Sequence, residues 1–203
     1  MSAPRSGWRF AALGLLPVAA LVFRFSAGGP LRVETEGMEP TIWRGELVWM
    51  APVEVDALQV GDLVVAELPG EGLIVKRLVG LEGDEVEVHP SRGLFLNGEQ
   101  RTEDAGLLAL RPSGDCAVEA QPHARERWSG AAVAVRSGGP ADRRRVPLGH
   151  AYLLGDDRAS SGDSRLWGPV PVEQIVGLVR LRLLSGSPCE IFPRWERSFA
   201  RLR

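Results

Sequence analysis

The chain has 203 residues, of which 44% are hydrophobic and 25% charged, and its net charge is −2 at pH 7. This length and composition predict a globular body with one sizeable domain and exclude a disordered chain. The near-neutral charge argues against a general nucleic-acid binder, which needs a basic face, and the sequence has no phosphate-binding glycine loop for a nucleotide. Its two cysteines, Cys116 and Cys189, belong to no cluster with metal-ligand spacing, so no metal or cofactor is expected, and their spacing does not decide whether they pair.

The N-terminal segment raises the question of membrane attachment. Residues Phe10 to Phe23 form an uncharged apolar run between Arg9 and Arg24. The run is shorter than the roughly 20 residues of a spanning helix, although flanking arginines can reach the interfaces. A cleaved signal peptide, a short anchor and a buried helix all fit, and residues 25–28 resemble a cleavage site. We expect a single-pass membrane helix with the N-terminus inside and the rest of the chain on the outer face of the plasma membrane.

The remainder of the chain reads as short strands separated by glycine-containing turns, which predicts an all-β fold. The pair Asn97-Gly98 predicts a hairpin turn. Residues 100–148 are rich in Arg, Pro, Gly and Ser and read as an insertion with one or two hairpins, in which Arg143 to Arg145 form a solvated loop. The predicted strands are Leu31–Glu36, Glu46–Met50, Asp62–Glu67, Leu73–Leu81, Glu85–His89, Ala151–Leu154 and Val176–Leu184.

The positive charges are distributed unusually, because 23 arginines accompany a single lysine, Lys76. Arginine would serve wherever a positive charge is enough, but its guanidinium does not lose a proton in proteins. Lys76 lies in the apolar run 73–79, and burial there would disfavour the charged amine and lower its pKa. Lys76 is therefore a candidate general base. Composition alone leaves open that it is an exposed strand residue.

Three segments in this order resemble the motifs of bacterial type I signal peptidases. The nucleophile segment (residues 36–42) reads EGMEPTI, the base segment (75–84) reads VKRLVGLEGD, and the third segment (155–168) reads GDDRASSGDSRLWG. The resemblance implies coiled antiparallel sheets behind an N-terminal membrane helix. It also implies endoproteolytic cleavage of signal peptides from exported preproteins by a Ser/Lys mechanism.

The resemblance further implies a role for each matching residue. Lys76 is the general base and Ser161 orients it, while the Thr35 hydroxyl and the backbone N–H of residue 37 hold the oxyanion. An extended peptide with small side chains at alternate positions would be added as a strand beside residues 35–38. The residues expected to support the site are Arg77, Asp156, Arg158, Asp163, Ser164 and Arg165, and those expected to bind substrate are Glu36, Met38 and Pro40.

The resemblance breaks at the nucleophile position, where Gly37 stands in place of serine. Four explanations are open. In the first, the chain is an inactive member that binds signal peptides or exported proteins as an assembly factor. In the second, Thr35 attacks from the same strand face, and in the third, Lys76 activates water directly. In the fourth, the glycine is an engineered or sequencing change. A tight-turn glycine with unusual backbone angles would also account for the residue.

These observations predict the following organisation. The expected partners are signal peptides of exported preproteins and membrane lipid, not nucleic acid or nucleotide. The aromatic and aliphatic residues Ile42, Trp43, Leu47 and Trp49 are expected either to rest on the bilayer or to lie in the core. The predicted parts are a cytoplasmic stub and membrane anchor (1–28), a catalytic core (29–99 and 146–185), an insertion (100–145) and a C-terminal tail (186–203).

Overall fold

The structure, a computed structural model, describes residues 28–112, 118–128 and 131–184, and these residues are mostly β-sheet. The all-β prediction is confirmed for this part of the chain. The elements are β1 (Gly29–Arg32), β2 (Leu47–Ala51), a 3₁₀ turn (Val55–Ala57), β3 (Leu63–Leu68), β4 (Gly72–Leu81), β5 (Glu85–His89), β6 (Gly93–Leu96), β7 (Glu99–Gln100), β8 (Thr102–Pro112), β9 (Val118–Trp128), β10 (Ala131–Val135), β11 (Asp142–Arg145), β12 (His150–Leu154), the single-turn helix α1 (Ser164–Trp167), β13 (Val170–Pro171), a second 3₁₀ turn (Val172–Gln174) and β14 (Ile175–Leu184).

The strands form three sheets, and neighbouring strands within each sheet are antiparallel. The largest has seven strands in the order β1-β2-β14-β3-β4-β12-β13. A three-stranded sheet has the order β10-β9-β8, and a four-stranded sheet has the order β11-β5-β6-β7. The segment expected to be an insertion thus supplies the three-stranded sheet and one edge strand of the four-stranded sheet.

Strand β4 lies at the centre of the packing. It pairs with β3 on one side and β12 on the other, and its residues contribute to three separate hydrophobic clusters. Val75 packs with Met38 and Ile42, Leu78 packs in a second cluster, and Val79 packs in a third. Burial from several directions explains why the sequence of β4 is almost continuously apolar. The only charged side chains in the strand, Lys76 and Arg77, are therefore held in a water-poor environment.

Most predicted strands are confirmed, with ends that differ by one residue, and the Asn97-Gly98 hairpin turn is confirmed by positive φ at both residues. The prediction for residues 31–36 is wrong beyond Arg32. There the chain leaves the regular ladder, although the N–H of Val33 still donates to the carbonyl of Glu46 at 2.9 Å, and it enters the turn that carries the nucleophile segment.

One further expectation is corrected, and an alternative left open by the sequence is decided for two residues. Arg143 to Arg145 belong to β11, not to a loop, because Val86 and its neighbours in β5 pair with their backbone. Their side chains remain exposed. Ile42 and Trp43 are buried, with 0% and 8% of their surface exposed, so they belong to the core and not to a bilayer-facing surface.

Other predictions fall outside the described residues. These are the apolar segment 10–23, the whole C-terminal tail (186–203), and both Cys116 and Cys189. Among the helices in the part of the chain that the structure describes, none is long and apolar enough to cross a bilayer.

Candidate active site

The structure brings the three sequence segments together around β4. The nucleophile segment forms a turn between β1 and β2, closed by a hydrogen bond from the N–H of Ile42 to the carbonyl of Met38 at 2.9 Å. Both side chains of that pair are fully buried and fix the turn against the core. Residues 75–81 of the base segment form the second half of β4, and the third segment begins where β12 ends. Antiparallel pairing of β4 with β12 places the base and third segments side by side.

Asp156 makes contacts with all three segments. It belongs to the third segment, and its carboxylate accepts two hydrogen bonds from the Arg77 guanidinium, at 2.8 and 2.6 Å. It also accepts a hydrogen bond from the hydroxyl of Thr41 in the nucleophile segment. Arg77 and Asp156 are completely buried, and Arg77 donates a further bond to the carbonyl of Gly61 at 2.8 Å. A two-pronged arginine–carboxylate pair fixes orientation as well as distance, so Asp156 sets the relative positions of the three segments.

Lys76 is held beside Ser161. Its Nζ atom donates to the Ser161 hydroxyl at 2.9 Å, and that hydroxyl donates onward to the carbonyl of Gly162 at 3.2 Å. Only 5% of the Lys76 surface is exposed. Burial lowers the pKa of Lys76 below its ordinary value of 10.5, and the carboxylates of Asp163 and Asp156 oppose this shift without cancelling it. The amine is thus shifted toward the neutral form that a general base requires.

The loop that carries Ser161 is held by the buried ion pair of Asp163 and Arg165. The Asp163 carboxylate accepts from Arg165 Nε and Nη2, each at 2.7 Å, and from the backbone N–H of Gly155 at 3.1 Å. Asp163 also caps α1 by accepting from the backbone N–H of Arg165, as short polar side chains do at helix starts. Ser164 accepts from the N–H of Leu153 in β12 at 2.9 Å. These bonds tie the third segment to the sheet on both sides of Ser161.

Gly37 lies directly in front of the Lys76 amine. A Cβ atom added at Gly37 would lie 3.0 Å from Lys76 Nζ, 3.2 Å from Ser161 Oγ and 3.5 Å from Ser161 Cβ. The backbone of Gly37 does not adopt the positive φ that favours glycine, so the expectation of a tight-turn glycine with unusual angles is wrong. The carbonyl of Gly37 accepts from the N–H of Asp157 at 3.1 Å, which joins this residue to the third segment.

The residues expected next to the nucleophile differ in their surroundings. Thr35 is exposed and lies beyond the end of β1, so it does not share a strand face with residue 37. Glu36 and Pro40 are half-buried. The Met38 side chain is fully buried in the core cluster, so only its main chain is available to a bound peptide.

Sequence reasoning missed a buried pair that links the third segment to the three-stranded sheet. Arg158 donates to the Glu126 carboxylate at 2.6 Å and to the carbonyl of Gly155 at 2.7 Å. Glu126 lies on β9, is completely buried, and accepts a second hydrogen bond from Thr102 at 3.0 Å. Glu126 is 32 positions from Arg158, in a segment without local catalytic motifs, and only the fold brings the two together.

A protein-family model described as "Signal peptidase, peptidase S26" matches residues 7–184. The chain belongs to the signal peptidase family. Among curated relatives, signal peptidase I of Bacillus caldolyticus is 32% identical over 158 residues, which cover 74% of this chain and 76% of the relative. Signal peptidase I of Pseudomonas fluorescens is 29% identical over 189 residues, covering 77% of this chain and 65% of the relative.

The chain is also similar to a plant relative and to a solved structure. Thylakoidal processing peptidase 1, chloroplastic, of Arabidopsis thaliana is 28% identical over 172 residues, covering 78% of this chain and 42% of the relative. The chain thus spans less than two thirds of the length of this relative and of the P. fluorescens relative. The crystal structure of a signal peptidase I from Enterococcus faecalis V583 has 26% sequence identity and a TM-score of 0.38, and the match covers 60% of this chain and 96% of that one.

The buried ion pair beneath this signal peptidase-type site yields a stability prediction. Asp156→Asn removes the charge that compensates Arg77, so we expect the free energy of unfolding to fall by about 3–5 kcal/mol. Glu103→Gln breaks an exposed ion pair with Arg127 and is the matched control, with an expected loss below about 1 kcal/mol. Urea unfolding of the parent and of the two variants measures the loss in the free energy of unfolding caused by each substitution. Equal losses in the two variants would contradict the central role of Asp156.

The lowered pKa of Lys76 predicts a pH dependence of stability. Between the lowered value and 10.5 the unfolded chain binds a proton that the folded chain does not, so the free energy of unfolding rises with pH across this window. Lys76→Met lacks this pH-dependent contribution to the free energy of unfolding, which is about 1.4 kcal/mol for each unit of pKa shift. We expect the variant to gain stability relative to the parent at pH 7 and to lose that gain as the pH approaches 10.5.

Denaturant unfolding at a series of pH values measures the difference between Lys76→Met and the parent. Arg32→Met removes an exposed cation and serves as the control for changes in net charge, with a difference from the parent that does not vary with pH over this range. A Lys76→Met difference that is likewise constant with pH would show that burial does not shift the lysine.

Proposed function

We propose that the chain carries a signal peptidase I-type endopeptidase site for signal peptides of exported preproteins, in which Lys76 is the general base and Gly37 occupies the nucleophile position. One observation carries the proposal. A Cβ at residue 37 would lie 3.0 Å from the Lys76 amine and 3.2 Å from the Ser161 hydroxyl, which is where a serine side chain would need to be to give its proton to a neutral lysine. Membership of the signal peptidase family supports the reaction and its substrate class.

In this proposal the remaining residues prepare the base and bind the reacting carbonyl. Ser161 orients the amine through the hydrogen bond at 2.9 Å. Asp163, Ser164 and Arg165 hold the Ser161 loop, while Arg77, Asp156 and Arg158 hold that loop against β4 and β9. The backbone N–H of residue 37 and the hydroxyl of Thr35 stabilise the oxyanion.

The substrate is proposed to bind as an extended strand beside residues 35–38. Main-chain hydrogen bonds would give affinity, and shallow pockets for small side chains at alternate positions would give specificity. Because the Met38 side chain is buried, it acts through its main chain, whereas Glu36 and Pro40 lie close enough to the surface to border the peptide.

We also propose the arrangement in the cell that goes with this substrate. The apolar run 10–23 would anchor the chain once in the plasma membrane, with the described sheets on the outer face, where preproteins emerge. Gly29 begins β1 shortly after the run, and β1 leads directly into the nucleophile segment. Such a short connection would keep the site close to the lipid.

A second candidate function is binding without cleavage. The observation that favours it is the glycine itself, because Gly37 supplies no hydroxyl while Lys76 and Ser161 are held in place by their hydrogen bonds. A binder would hold signal peptides with the same affinity whether residue 37 is glycine or serine. It would also release them intact.

The proposal predicts that Gly37→Ser gives an efficient peptidase. The serine Cβ requires the Lys76 amine to shift by a few tenths of an ångström, which the flexible end of that side chain allows. Cleavage of a model preprotein in detergent is the measurement. Gly37→Ser with Lys76→Met is the control, and we expect it to be slower than Gly37→Ser alone by about 10²–10⁴-fold. A Gly37→Ser protein that folds normally and binds the precursor but leaves it intact would support the binding function instead.

The pH dependence of the Gly37→Ser enzyme identifies the base. Lys76 must be neutral to accept a proton, and burial lowers its pKa below 10.5. We therefore expect kcat/KM to rise with pH along a limb whose midpoint lies below 10.5 and then to level off. A rate that is flat across this range would remove Lys76 from the role of base.

A further inference from the structure

We propose that the chain with glycine at position 37 is itself a slow hydrolase, in which a water molecule bound between Gly37 and Lys76 attacks the substrate directly. The inference rests on the proposed function, since it uses the same base and the same substrate cleft. It differs in the chemistry, because no covalent acyl intermediate forms.

The position proposed for this water follows from the missing side chain at Gly37. A glycine Cα carries no side chain, and the point where Cβ would be lies within 3.2 Å of both Lys76 Nζ and Ser161 Oγ. A water in contact with the Gly37 Cα would lie slightly farther from the backbone than a serine oxygen, toward a bound peptide. It would remain within hydrogen-bonding reach of the Lys76 amine and the Ser161 hydroxyl. These two groups supply the two polar partners that a bound water needs.

The hydrogen bonds around Lys76 leave the amine able to act on this water. A neutral amine has two N–H donors and one lone pair, and one donor is used by Ser161 at 2.9 Å. The lone pair can then accept a proton from the water. The Ser161 hydroxyl already accepts from Lys76 and donates to the Gly162 carbonyl at 3.2 Å, so it orients the amine and does not compete for the proton.

The other hydroxyl groups near the site are poorly placed to attack. Ser161 packs closely against the backbone of Gly155, where an added Cβ would lie only 2.1 Å from Ser161 Oγ. Its oxygen is also engaged in hydrogen bonds with Lys76 and with the carbonyl of Gly162. Thr35 is exposed and lies beyond the end of β1. A shift of about 1 Å in a nucleophile can reduce the rate 10²-fold, which favours the water over either side chain.

The step balances with water as the only co-reactant. The Lys76 amine takes one proton from the water, and the water oxygen forms a bond to the scissile carbonyl carbon. The resulting tetrahedral intermediate breaks its C–N bond, and the Lys76 ammonium returns the proton to the departing amine. The products are the carboxylic acid of one fragment and the amine of the other, which together exchange a proton to give carboxylate and ammonium, and Lys76 is neutral again.

Gly37→Ala tests the position of the water. The added methyl group would occupy the point 3.0 Å from Lys76 Nζ, and it would displace the water without removing the base. We expect cleavage of a model preprotein to be at least about tenfold slower in Gly37→Ala than in the parent, and faster in Gly37→Ser than in either. Acid-quenched intact-mass spectra should show an acyl adduct for Gly37→Ser and none for the parent.

Three outcomes would overturn this inference: a parent no faster than Lys76→Met, a Gly37→Ala protein as fast as the parent, or an acyl adduct on the parent at Ser161 or Thr35. The Gly37→Ser protein separates this inference from the proposed function. If Gly37→Ser cleaves and the parent does not, only the water mechanism fails. If Gly37→Ser also fails to cleave while folded, the proposed function fails with it.

Discussion

The carboxylate of Asp156 joins residues that are far apart in the chain, since Thr41 is 115 positions away and Arg77 is 79. The pair with Arg77 is completely buried, so neither charge can be left without the other except at a cost of several kcal/mol. The ion pair therefore holds the third segment against β4, and the hydrogen bond from Thr41 holds the nucleophile segment against the third segment. The distances around Gly37, Lys76 and Ser161 follow from this arrangement. Each of these three residues lies within five positions in the sequence of Thr41, Arg77 or Asp156, respectively.

Arg77 and Arg165 explain why the pKa of Lys76 is lowered although two carboxylates lie near its amine. Asp156 and Asp163 would each favour a charged lysine, and both act in that direction on Lys76. However, Asp156 is bound by Arg77 and Asp163 is bound by Arg165, which leaves burial as the larger influence on the lysine. The sequence composition fits this division of roles, because arginine holds the permanent charges and the single lysine occupies the position where burial disfavours the charged form.

Much of this site could be predicted from the sequence, because its residues lie in short segments with fixed spacing. The apolar surroundings of Lys76 make it a candidate base, and the structure places its amine beside Ser161. The prediction that Thr35 and residue 37 share a strand face is wrong because regular strand pairing ends at Arg32. Strand β11 was missed because three arginines carry no apolar alternation, and its pairing with β5 depends on backbone hydrogen bonds. Glu126 was missed because the contact with Arg158 exists only after the three-stranded sheet forms.

The central claim is that the fold buries the Lys76 amine in front of residue 37 and lowers its pKa. With one lysine in the chain, protein labelled with ¹³C at the lysine Cε, and purified with a lysine-free tag, gives a single resonance that reports the charge on this amine. The account predicts that this resonance titrates with a midpoint clearly below 10.5 in the folded protein and moves to about 10.4 in the unfolded chain. A midpoint at or above 10.5 in the folded protein would contradict it, because Lys76 would then be a permanent charge and not a base.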